Sequence, residues 1–178
     1  MGETVTEQEY CVYSESYKKF IKSFATRPAL NLGCSIYKIG DVNVDYNNNV
    51  SPDVLHDLNK FPYPFGNESF STIFLLDVLE HLKHPEKTIS ECFRALKYNG
   101  TLFIAVPSRR SGYYRHKNHI QFFDKKSLME LLGNKFKVRI FGYRGNTKNI
   151  PPVFAKIVGQ LIGNEWICIG KKVKSDKL

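Results

Sequence analysis

The apolar positions of this chain switch between a helical period and runs of strand character, and the switching predicts alternating helices and strands. Over 14–26, Tyr17, Phe20, Ile21 and Phe24 recur at helical spacing. Arg27-Pro28 ends that segment, because proline disfavours helical backbone at the residue before it. Short strands are predicted at 29–33, 41–45 and 53–58, followed by the turn-rich loop NKFPYPFGNES. FSTIFLLDVL is apolar almost without interruption, the pattern of a central strand covered on both faces. His84-Pro85-Glu86 opens a helix, with Pro85 suited to the first helical position and Glu86 favourable against the helix dipole. Ile89, Cys92, Phe93 and Leu96 form its buried stripe, and Asn99-Gly100 is read as its stop. TLFIAVP is the next strand, a helix runs from Asp124 or Ser127 through Leu132 to a stop at Gly133, and KFKVRIFGY and EWICIGKKV are two final strands. This order implies an α/β domain with a mostly parallel sheet and a ligand at the strand carboxyl ends.

The first candidate for chemistry is NLGCSIYKIGDVNVD, a glycine turn followed by a second strand that ends on an acid. A dinucleotide-binding unit would put a helix between them and the acid about 20 residues past the glycines. Here Asp45 stands 12 residues after Gly33, which leaves little room for a helix. Nucleotide phosphates rely on a helix N-terminus. A ligand with a ribose and an adenine but no phosphate fits the spacing better, and S-adenosylmethionine is such a ligand. Gly33 would let the ligand approach the backbone, and Asp45 would accept the ribose hydroxyls. Taken alone, the stretch is equally well read as a hairpin with an incidental glycine.

The segment DVLHDLNKFPYPFGNESFSTIFLLDVLEHLKHPEKTISECFRALKYNGTLFIAVPS resembles the class I S-adenosylmethionine-dependent methyltransferases of the type-11 kind. It carries their acid after the third strand, their proline-rich loop, a strand, VLEHL, a helix and a strand ending in proline, in that order. A subset of the family also has a short first loop like NLGCS followed by NVD. The resemblance implies a Rossmann-like fold, a mostly parallel seven-stranded sheet with a C-terminal antiparallel hairpin and helices on both faces. By position it implies that Gly33, Cys34 and Ser35 lie beside the methionine part of the cofactor, that Asp45 holds the ribose, that Asp57 and Leu58 contact the adenine, and that Asp77 faces cofactor and substrate. Asn31 and Ser35 depart from the family, which often has an acid and a glycine at those places.

Methyl transfer is an in-line displacement, so it needs orientation and sometimes a base, not a nucleophilic serine or cysteine. The candidate bases are His119, in the segment HKNHIQFFDKKSLMELL that resembles the family's loop after the fifth strand, and His81 in LEHL. A structural role for His119, fixing that loop, is the alternative. His84, His116 and His56 read as cap or surface residues. Asp77, Glu80 and His81, spaced i, i+3, i+4, together with His119 resemble the metal set of ubiquinone-pathway O-methyltransferases and small-RNA 2′-O-methyltransferases. VLEHL is also widespread in metal-free relatives, and the expectation here is no metal.

Charge and composition narrow the rest. At 178 residues, with 42% hydrophobic and 24% charged, the chain is long enough for one sizeable core. We expect a single domain over 1–178: a helical segment to 28, a cofactor-binding half over 29–108 and a substrate-side half over 109–178. Four scattered cysteines, none in a CxxC, and an acidic polar N-terminus suit a cytoplasmic location. The net charge of +9 is concentrated between Arg109 and Lys148, where eleven Lys and Arg face two acids. That is either a solvated surface or a rim for an anionic substrate or nucleic acid. The apolar insertion PPVFAKIVGQLIG over 151–163 is a buried helix, a substrate cover, a dimer contact or a peripheral membrane contact. The reading is methyl transfer from S-adenosylmethionine to a small-molecule acceptor. The rivals are RNA methylation through 109–148 and a degenerate methyltransferase fold serving as a scaffold.

Overall fold

The computed structural model describes residues 13–143 and 163–174. The elements run α1 (Glu15–Lys22), β1 (Ala29–Leu32), β2 (Val42–Asp45), β3 (Val54–Leu55), β4 (Phe70–Leu76), α2 (Pro85–Ala95), β5 (Leu96–Pro107), α3 (Lys125–Leu132), β6 (Phe136–Tyr143) and β7 (Glu165–Lys172). The strands form one seven-stranded sheet in the order β3-β2-β1-β4-β5-β7-β6. Strands β1 to β5 pair parallel, and β7 lies antiparallel between β5 and β6.

Period-two alternation inside the continuous apolar runs explains how the middle of the sheet is buried on both sides. Ile73 and Leu75 of β4, with Leu102, Ile104 and Val106 of β5, join the core beneath α2 and α3. Phe74, Leu76, Phe103 and Ala105 point the other way, towards Tyr17 and Ile21 of α1. Each of these side chains except that of Ala105, removed from water, contributes about 1.5–3 kcal/mol. The caps are those the residue types favour. Asp124 and Ser127 form a reciprocal capping box at the start of α3, and Gly133 follows its last turn. Pro85 occupies the start of α2.

Several predicted boundaries move. The first helix ends at Lys22, short of Thr26, and the 53–58 strand contracts to Val54–Leu55. Asn99-Gly100 does not stop α2, which ends at Ala95 where Leu96 turns extended. Instead, Leu96–Gly100 bulges against β4, since Phe70 pairs with Leu96 but Thr72 pairs with Thr101. A side chain at 100 would strike the carbonyl of Lys97 at 2.8 Å. Leu96 and Lys97 are therefore strand residues, although Leu96 continues the helical spacing. Of the 151–163 insertion, 151–162 lies outside the described residues.

Candidate functional site

A cavity of about 940 Å³ opens at the carboxyl ends of β1, β2, β4 and β5. The wall begins at the short glycine turn. Gly33 has φ 69°, and a Cβ there would lie 2.5 Å from Cγ2 of Val78. Ser35, at φ 45°, also takes the left-handed conformation. The Cys34 N–H donates to the Val44 carbonyl at 2.8 Å, and the Ser35 N–H to Asp45 Oδ2 at 2.8 Å. The Asn47 N–H donates to Asp45 Oδ1 at 2.9 Å, so the loops before and after β2 both fold onto one buried carboxylate. A carboxylate has about four acceptor sites. Two backbone donors therefore leave capacity for a ligand's hydroxyls.

The departure at Asn31 has a local reason. Its Nδ2 donates to the Tyr37 carbonyl at 2.7 Å and to Asn43 Oδ1 at 3.3 Å. An ionised acid could not donate to that carbonyl. Asn31 therefore holds the shortened 34–41 turn against the sheet, and it is 2% exposed. Cys34 borders the cavity as a thiol: burial, then the neighbouring Asp45, push its pKa up to about 11.

Asp57 and Leu58 line the same cavity beyond β3. The Asn59 N–H donates to Asp57 Oδ1 at 2.9 Å, and the Tyr63 hydroxyl donates to the Leu58 carbonyl at 2.9 Å. Asp77 follows β4 with φ 52°, and Tyr13 donates its hydroxyl to Asp77 Oδ2 at 2.7 Å.

The opposite wall is a loop over 108–124, tied to the turn after β4. The N–H groups of Ile120 and Gln121 donate to the Glu80 carbonyl at 2.9 and 3.0 Å. The His81 Nδ1 donates to the Asn118 carbonyl at 3.0 Å, and the His119 Nδ1 to the Tyr114 carbonyl at 3.1 Å. Because carbonyls only accept, each ring carries its proton on Nδ1 when neutral, which leaves Nε2 as the basic atom. The two rings meet edge to face at 4.7 Å. Partial burial lowers both pKa values, against the rise from their carbonyl hydrogen bonds. His116, expected at the surface, also lines the cavity, with its ring 5.5 Å from His119.

Residues 79–81 form a short 3-10 turn rather than the α-helical turn the spacing suggested. The geometry gathers ligand atoms of Glu80, His81 and His119 within 4.8 Å of one another, without Asp77. Glu80 is 2% exposed, and neither carboxylate oxygen has a hydrogen-bond partner. Burial, then Asp77, raises its pKa well above the carboxylate range. In donor type the trio could hold a divalent ion.

Among the lining residues that escaped the sequence reading are Tyr13, Tyr37 and Glu165. Glu165 opens β7 opposite Pro107, and Tyr17 donates its hydroxyl to Glu165 Oε2. Burial, then Asp77, pushes its pKa up to about 8. An acid heading the apolar strand EWICIG is the only trace of this in the sequence. Its nearness to Asp77 depends on antiparallel register.

The mostly parallel seven-stranded sheet, with its last two strands antiparallel and a cavity at the carboxyl ends of the parallel strands, is the Rossmann-like α/β fold of methyltransferases. Residues 37–104 match the family model described as a methyltransferase domain, of type 11. Solved structures agree on the fold. A methyltransferase from Thermotoga maritima superposes with a TM-score of 0.69 at 17% identity, covering 88% of each chain. One from Archaeoglobus fulgidus gives 0.63 at 16%, over 87% of this chain and 94% of that one. A chain from the complex of the Haloferax volcanii Trm112 methyltransferase activator with a methyltransferase gives 0.70 at 13%, over 91% of each. At these identities the likeness is one of fold. No curated protein sequence matches this chain.

Proposed function

We propose that the cavity binds S-adenosylmethionine and that the protein transfers its methyl group to a small-molecule acceptor. One observation carries the choice of cofactor: the described lining contains no Lys or Arg, so nothing there would clamp a phosphate. The carboxylates that are present suit hydroxyls and positive charge. The volume also lies within the range of about 300–1,000 Å³ usual for small-molecule sites.

Gly33, Cys34 and Ser35 would border the methionine part, Asp45 the ribose, and Asp57 with Leu58 the adenine. Asp77 would stand where cofactor and acceptor meet. The cofactor supplies an electrophilic methyl group and its sulfonium leaving group. The chain's own residues align the acceptor, exclude water and take a proton. His119 is the first candidate to take that proton, at Nε2, with His81 beside it. Lowered pKa values keep both rings neutral at pH 7, so that atom is available. The reaction is read as metal-free.

The experiment is transfer of a labelled methyl group to metabolite pools, run on wild type and His119→Ala. Turnover should fall about 100-fold or more in the variant, with cofactor affinity near wild type. Lost cofactor binding in His119→Ala would contradict the placement of this loop on the acceptor side.

A further inference from the structure

The protein carries a net charge of +9, yet its cavity is acidic. Asp45, Asp57, Asp77, Glu80 and Glu165 all line it, and no Lys or Arg does among the described residues. The basic residues of 109–143 lie elsewhere, exposed on the loop and on α3 and β6. This arrangement disfavours the anionic acceptor that net charge alone suggested.

Asp45 and Asp57 are accounted for by the neutral ribose and adenine. The cofactor carries one net positive charge, which answers at most one further carboxylate. Asp77 and Glu165 nevertheless come together from β4 and β7, close enough that Asp77 helps to raise the Glu165 pKa. Aromatic rings stand beside them. Tyr13 and Tyr37, 4.8 Å apart between centroids, both line the cavity. Tyr13 donates to Asp77 and Tyr17 donates to Glu165, so each carboxylate is presented beside a ring. Tyr46 and Tyr113, at the same cavity, are 69% and 64% exposed. Aromatic faces next to half-buried carboxylates attract organic cations through both charge and ring quadrupole. A bare metal ion would be drawn instead to Glu80, His81 and His119, a cluster that includes neither Asp77 nor Glu165.

We propose that the acceptor is an amine, bound as its ammonium between Asp77 and Glu165 and walled by Tyr13 and Tyr37. This deepens the methyl-transfer reading above and rests on it. Binding of the cation displaces the Glu165 proton to water; the ammonium then gives one proton to the resulting carboxylate, and the freed lone pair on nitrogen forms the new N–CH₃ bond. The electron pair of the methyl–sulfur bond leaves with sulfur. The products are a methylated ammonium and a neutral thioether, and Glu165 returns its proton to water. A carboxyl poised at about 8 can make that exchange near neutral pH. The groups facing Glu165 are Asp77 after β4, Glu80 in the following turn, Tyr17 of α1 and Tyr143 of β6. In this reading His119 shapes the acceptor pocket from the opposite wall.

The test is calorimetric titration with and without saturating S-adenosylhomocysteine. The probes are skeleton-matched: 2-phenylethylamine and butylamine, 2-phenylethanol and butanol, 3-phenylpropionate and pentanoate. The amines should bind about ten-fold tighter or more than their alcohol and carboxylate matches. Glu165→Gln should erase that preference while S-adenosylhomocysteine affinity stays within about two-fold. Tyr17→Phe, which keeps the ring and the packing, should weaken the preference without erasing it. Circular dichroism confirms that each variant is folded. Equal binding across the series, a preference for carboxylates, or a site that takes Mn²⁺ and no amine would overturn the proposal. Lost S-adenosylhomocysteine binding with the ammonium preference intact would instead contradict the cofactor reading alone.

Discussion

Gly33 and Ser35 both hold left-handed backbone in the turn beside the cavity, at φ 69° and 45°. For a non-glycine residue that conformation costs of order 1–3 kcal/mol. Ser35 bears the cost and returns a backbone N–H to Asp45. Gly33 could not bear it, because a Cβ would also strike Val78. Gly33→Ala should lower stability by about 1–3 kcal/mol and weaken S-adenosylhomocysteine binding in the same titration. An unfolding curve and an affinity that both match wild type would mean the turn tolerates the clash. Glu165 makes a separate prediction, about pH. Its folded pKa of about 8 lies far above the usual carboxylate value of 4.5. Between the two, the unfolded chain has released the proton and the folded protein still holds it. Stability from this group is therefore greatest below the unfolded pKa and falls as pH rises towards 8. Glu80, raised in the same direction, adds to the slope. Denaturant midpoints from pH 5 to 8 should decline in wild type and decline less in Glu165→Gln. Identical slopes would place the Glu165 carboxyl in water.

The turn after β4 and the loop over 108–124 are held together as one piece. The Glu80 carbonyl accepts from Ile120 and Gln121, while His81 donates to Asn118. That pairing explains why Glu80, His81 and His119 converge although 38 residues separate the last two. Convergence of ligand types is not occupancy. A divalent ion prefers an ionised carboxylate, and burial, then Asp77, raises the Glu80 pKa, so seating an ion there would compete with a proton. Chelator should therefore leave methyl transfer unchanged. Activity lost to chelator and restored by manganese or magnesium would contradict this and make the trio a metal centre. The helices and the long strands were legible in the sequence because each carries a strong local signal: Pro85 at a helix start, the Asp124 cap, and the unbroken apolar runs of β4 and β5. The end of α2 was misread because Leu96 satisfies both a helical stripe and a strand. β3 shrank because its hydrogen bonds reach only one neighbour, at the sheet edge.

The whole molecule separates its charges: a basic exterior over 109–143 and an acidic cavity at the carboxyl ends of the parallel strands. Net charge pointed towards anions and could not show this, because sorting inside from outside requires the fold. The residues that the family resemblance assigned to the cofactor, Gly33, Cys34, Ser35, Asp45, Asp57, Leu58 and Asp77, all line one cavity. Gly33 and Asp45 were also visible by themselves because each ends or follows a strand, and parallel strands bring their carboxyl ends together, whereas the others entered only through the resemblance. Glu165, Tyr13 and Tyr37 were invisible because they reach the cavity through antiparallel register, the packing of α1 and a shortened loop. The most direct test of the account is calorimetry of S-adenosylhomocysteine with wild type and Asp45→Ala. Wild type should bind one equivalent, and the folded variant should bind about ten-fold more weakly, as expected for the loss of a charged acceptor of about 1.5–3 kcal/mol. A folded wild-type protein that binds neither S-adenosylhomocysteine nor S-adenosylmethionine, or an Asp45→Ala variant with undiminished affinity, would contradict the account.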